Sequence, residues 1–154
     1  MMEILDQELG RRGNRQARAV IELADTGTET PIEVLTFLNI EQIGLPRPTL
    51  QRRYDIDGSR YFVDAHWGGI LPDGRPWNVV VESDGFVKYP DRSALVKERE
   101  RDNALRSTGA IVIHVSWEIV MDIDKFAHTV IRAFPTHVRR MLRPNILIRN
   151  MRAA

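Results

Sequence analysis

The stretch Trp77-Asn78-Val79-Val80-Val81-Glu82-Ser83-Asp84-Gly85 constrains this chain more than any other. Three consecutive β-branched residues favour pleated backbone and a place in a core. Two acids then follow at once. Residues i and i+2 of a strand share a face, so Val80, Glu82 and Asp84 point one way while Val79, Val81 and Ser83 point the other. The strand rise puts the Glu82 and Asp84 positions about 7 Å apart. The segment before it, Ser59 to Trp67, reads as a strand with Phe62 and Asp64 on one face. If the two strands are neighbours, Asp64 reaches Glu82 and three acids converge at one sheet edge. Burying like charges costs several kcal/mol unless something compensates. A hard divalent cation such as Mg²⁺ compensates well, because it takes carboxylate oxygens and keeps open positions for a phosphate. The pattern therefore points to a metal-dependent phosphodiesterase site. The plainer account is that Asp84-Gly85 marks a turn and Glu82 is an edge-strand acid.

The chain has 154 residues, 43% of them hydrophobic, enough for one domain with one sizeable core. No run of about 18 apolar residues occurs, so no membrane span is expected. The opening MMEILDQELGRRGN lacks the apolar stretch of a signal peptide. The absence of cysteine excludes disulfides, thiolate zinc sites and a cysteine nucleophile. A cytoplasmic protein is the simplest expectation. The net charge is only +1, but Arg11 to Arg18 holds four arginines without an acid, and Arg139 to Arg152 holds five. Two basic ends around a mixed middle could hold a polyanion, or could be solvated helical faces.

Periodicity predicts a helix over residues 2–25, broken near Gly13. Thr30, Pro31 and Glu33 form a capping-box signature that starts a second helix, which GLPRP at 44–48 ends. Residues 49–57 and 59–67 read as a hairpin turning at Asp57-Gly58. A loop at 68–76, the valine strand, a helix at 92–107 closed by Gly109, a strand at 110–117 and helices at 117–122 and 124–142 complete the order. The sum is an α/β fold, a mixed central sheet flanked by helices. It divides into a basic helical segment (1–28), a main domain (29–143) and a basic tail (144–154).

The segments YFVDAHW, VVVESDGFVKY and ALVKERERDNALRSTGAIVIHVSW together resemble endonuclease domains related to very-short-patch mismatch repair endonucleases. Those belong to the PD-(D/E)XK restriction-endonuclease-like superfamily. The resemblance covers about residues 29–120. It implies a restriction-endonuclease-like fold and Mg²⁺-dependent cleavage of DNA, with Mn²⁺ able to substitute. It places Glu33 in the leading helix, Asp64 and Glu82 as metal ligands, and Asp84 where the superfamily more often has lysine. That lysine orients the attacking water or offsets negative charge. Here Lys88, four residues on, would have to swing back to serve.

Glu33 is as well placed to be the capping partner of Thr30 as to be a site acid. On the 92–107 helix, Leu95, Glu98, Asp102 and Leu105 fall near the face that meets the sheet, with Arg101 beside them. Arg101 could pair with the site acids or a phosphate, or form a surface pair with Glu98. His66 shares the Asp64 face, His114 sits mid-strand, and Trp67, Trp77 and Trp117 are expected in the core. The expected function is Mg²⁺-dependent hydrolysis of DNA, with Asp64, Glu82 and Asp84 holding metal and Lys88, Arg101 and Glu33 assisting. Double-strand cleavage would favour a homodimer. The alternative is a degenerate module of the same fold that binds DNA or protein.

Overall fold

A computed structural model of the chain describes residues 30–85 and 92–144. The expected helix at 2–25, most of the basic tail and Lys88 lie outside the described residues.

Helix α1 (Pro31–Ile43) begins where its sequence signals place it. Thr30 is the N-cap, its hydroxyl oxygen accepting from the Glu33 amide at 3.5 Å and the hydroxyl donating to Glu33 Oε1 at 2.6 Å. Gly44 ends the helix at φ 76°, a left-handed conformation that suits glycine. Strands β1 (Thr49–Ile56) and β2 (Ser59–Ile70) form the expected hairpin, with Asp57 and Gly58 at φ 49° and 77°. Strand β2 runs three residues further than the sequence suggested, and β3 (Pro76–Ser83) starts at the proline, so the connection shrinks to 71–75. Helix α2 (Arg92–Ser107) crosses to β4 (Ile111–Val115). Three short helices follow: α3 (Trp117–Met121), α4 (Ile123–Ile131) and α5 (Thr136–Arg140). Trp117, expected to close the last strand, opens a helix instead, and the single helix expected at 124–142 divides at Pro135.

The sheet is four-stranded and mixed, in the order β1-β2-β3-β4. β1–β2 and β2–β3 pair antiparallel, and β3–β4 pair parallel across the α2 crossover. The interior strand β3 is buried on both faces, which explains its unbroken valines. Val79 and Val81 join Ala65, Trp67, Ile113 and Val115 against α1 and α3 to α5. Val80 joins Tyr54, Val63, Val112 and Leu105 beneath α2. The tryptophans fill the first of these cores: Trp67 and Trp77 meet Phe134 edge-on at 5.1 and 6.0 Å, and Trp117 packs at its border. No helix among the described residues is long and apolar enough to cross a membrane.

One irregularity positions the site. Val63 lies in the α2-side core and Ala65 in the opposite one, although they are two apart in one strand. On the partner strand Leu50 packs with the α1 side while Tyr54 lies under α2. Both strands thus exchange faces between the paired positions Leu50↔Ala65 and Arg52↔Val63. Gln51, at φ 47°, and Asp64 occupy that gap.

The chain closes on itself at Gly44, whose carbonyl accepts from the Arg143 amide at 3.2 Å. A Cβ there would stand 2.2 Å from the Arg143 carbonyl carbon, whereas one on Gly109, at φ 81°, would meet nothing within 4 Å. Alanine in the left-handed region costs about 1 kcal/mol at either position. Gly44→Ala should therefore destabilise by roughly 1–3 kcal/mol more than Gly109→Ala in urea denaturation, because backbone must also shift. Equal losses would contradict the close approach.

Candidate functional site

The site lies where the pairing of β2 with β3 ends, beneath α2. The β2–β3 ladder is last paired at Ala65↔Val81. Beyond it the Asp64 side chain takes over from backbone: its Oδ2 accepts the Ser83 amide at 2.7 Å. Ser83 turns the other way and donates to Thr36 Oγ1 of α1 at 3.0 Å. Glu82 faces α2, as the strand alternation predicted, and is 5% exposed. Arg101 reaches down from α2 to Glu82 Oε1 at 2.9 Å and to the Phe62 carbonyl at 2.6 Å. Of the two partners weighed for Arg101, the structure gives it Glu82 rather than Glu98.

Burial dominates the electrostatics here. It raises the Glu82 carboxyl to about 7, against the lowering pull of Arg101 and with a further push from the Asp64 charge. Asp64 is raised too, chiefly by burial; the Ser83 amide lowers it and the Glu33 charge raises it. Glu33 is itself buried at the N-terminus of α1. So Asp64 feels the Glu33 charge, Glu82 feels that of Asp64, and Arg101 is the cation that acts on both Asp64 and Glu82.

Asp84 goes elsewhere. His114 of β4 stands opposite Glu82 in the parallel register. Its Nδ1 lies 3.0 Å from Asp84 Oδ1 and its Nε2 lies 2.8 Å from Asp102 Oδ1 of α2. The imidazole thus bridges two carboxylates, and its pKa is pushed up to about 9, first by the Asp84 hydrogen bond and then by Asp102, against the opposing effect of burial. The three acids Asp64, Glu82 and Asp84 are not the group that gathers. Among the described residues, the His and carboxylate side chains that converge, with ligand atoms all within 4.8 Å of one another, are Asp84, Glu98 and His114. The sequence places His114 mid-strand and carries no signal of this role. Its place opposite Glu82 depends on a parallel register that local pattern does not encode.

His66, expected on the Asp64 face, finds its partners on β1. Its ring is buried edge-on to Tyr54, with Nδ1 3.2 Å from the Arg52 guanidinium. Burial and the Arg52 charge both lower its pKa. The face exchange at Asp64 breaks the alternation that would have aligned the two residues. Lys88 falls outside the described residues. No protein-family model, curated protein or solved structure matches the chain.

The His114 bridge has a pH signature. Its folded pKa is raised from 6.5 to about 9, so its stabilisation is fully present below about pH 6.5 and is lost as pH rises through about 9. In chelator-treated buffer His114→Gln should cost about 1–3 kcal/mol at pH 6 and markedly less at pH 10, read by urea unfolding. A cost independent of pH would contradict the charged bridge.

Proposed function

We propose that the chain is a metal-dependent nuclease that hydrolyses DNA phosphodiester bonds at the corner formed by Asp64, Glu82 and Arg101. One observation carries the reading: a buried glutamate and a half-buried aspartate from adjoining strands share the charge of one guanidinium, and desolvation raises both pKa values. Such a pair is short of positive charge. The donor set is oxygen only, which fits a hard divalent ion, Mg²⁺ with Mn²⁺ able to substitute. Asp64 and Glu82 would hold it, with Glu33 adding negative charge from α1. Bound there, the ion would polarise a phosphoryl oxygen. Arg101 would turn from Glu82 to the phosphate and offset charge that grows in the transition state. The exposed Arg139, Arg140 and Arg143 would contact neighbouring phosphates and make binding salt-dependent. The mixed sheet and element order agree with the restriction-endonuclease-like fold that the sequence resemblance implies.

A second reading, a degenerate module of the same fold that binds DNA or protein without cutting, is favoured by one feature. Asp84 stands where the superfamily more often has lysine and is engaged by His114. Plasmid nicking separates the two. With Mg²⁺ or Mn²⁺ the wild-type chain should nick supercoiled DNA, and Asp64→Asn and Glu82→Gln should each lower the rate by about 10²-fold or more. Arg101→Lys should also slow it, since lysine lacks the planar fork. Salt-sensitive DNA binding without nicking would favour the degenerate module. Equal nicking by Asp64→Asn and Glu82→Gln would overturn the assigned site.

A further inference from the structure

We propose that Asp84, Glu98 and His114 form a separate site for a divalent transition ion of the Zn²⁺, Co²⁺ or Mn²⁺ class, which clips α2 to the sheet. The inference does not depend on the nuclease reading. The three ligands come from different places: the end of β3, the exposed outer half of α2, and β4. Their donor atoms already lie within 4.8 Å of one another. Metal–ligand bonds of about 2.0–2.2 Å place neighbouring donors roughly 3–4 Å apart, so little movement closes the set.

The imidazole is what separates this from a chance group of acids. A histidine that ligates metal through one ring nitrogen characteristically gives its other N–H to a carboxylate, which fixes the tautomer and the ring plane. Here that acceptor lies outside the trio: Asp102 Oδ1 is 2.8 Å from Nε2. Nε2–H donating to Asp102 leaves the Nδ1 lone pair aimed at the space that Asp84 shares. An ion at this point takes the place of the Nδ1 proton. In front of the donors is a hollow of about 380 Å³, lined also by Leu95, Arg99 and Asn103, with room for the water ligands a three-donor site needs.

One nitrogen with two carboxylates suits a borderline ion, in contrast to the all-oxygen Asp64–Glu82 pair. The helix it would hold needs fastening. Leu105, near the C-terminal end, is the buried residue of α2, and residues 92–100 are all exposed. An ion held by Glu98 would anchor that half of the helix through a bond that exists only in the folded chain.

The test uses the full chain, freed of metal, carrying Asp64→Asn to remove ligation at the neighbouring corner. Co²⁺ is titrated by calorimetry and visible absorption. The expected result is one equivalent bound, a visible d–d band, a raised Tm and slower amide exchange in 92–100. Glu98→Gln, at an exposed position where folding is not at stake, should weaken this binding at least 10-fold, and so should Asp84→Asn, while equimolar Mg²⁺ should not compete. Absence of Co²⁺ binding, or affinity unchanged by both Glu98→Gln and Asp84→Asn, would overturn the site. Nicking activity is not read in this experiment, so its failure leaves the nuclease assignment standing.

Discussion

Helix α2 has almost nothing apolar with which to hold the sheet. Leu105 is its buried residue, and the other fastenings are polar. Arg101 pairs with Glu82, Asp102 with His114, and Arg106 donates to the Val112 carbonyl at 3.1 Å. The helix can lie where it does only because the sheet presents charge to it. The sheet, in turn, can bury those charges only because the helix brings partners. This mutual dependence sets the character of the whole corner.

Its consequence is an arrangement with two branches. On one, Arg101 acts on Glu82 and Asp64, carboxylates whose pKa values burial has raised. On the other, His114 bridges Asp84 and Asp102. The branches touch, because Glu82 and His114 face each other across β3 and β4, and the His114 charge helps lower Glu82. A cation arriving at either branch changes the field felt by the other. An excess of carboxylates over cations runs through both branches, and the proposed metal chemistry rests on it.

Much of this was legible in the chain. Thr30, Pro31 and Glu33 announced α1, and Asp57-Gly58 announced the hairpin, because caps and tight turns are written in local chemistry. The valine run gave β3, and its alternation correctly sent Val79, Val81 and Ser83 to one face and Val80, Glu82 and Asp84 to the other. The face exchange at Gln51 and Asp64 was not legible, since neither residue type signals a positive φ or a broken alternation. The parallel pairing that sets His114 opposite Glu82 joins residues 32 apart in sequence, beyond the reach of periodicity. Asp102 and Glu98 were expected on the side of α2 that meets the sheet, but that His114 would be the residue waiting there was a matter of register. The division at Pro135 follows from proline, which ends a helix even where apolar periodicity continues beyond it.

The account rests on a buried Glu82 carboxyl held short of full charge compensation. Its titration can be followed by carbon NMR of the side-chain carboxyl group, without and then with Mg²⁺. The account predicts a midpoint near 7 in metal-free buffer and a clear downward shift when the ion binds. A midpoint near the ordinary glutamate value of about 4.3, unmoved by Mg²⁺, would contradict it.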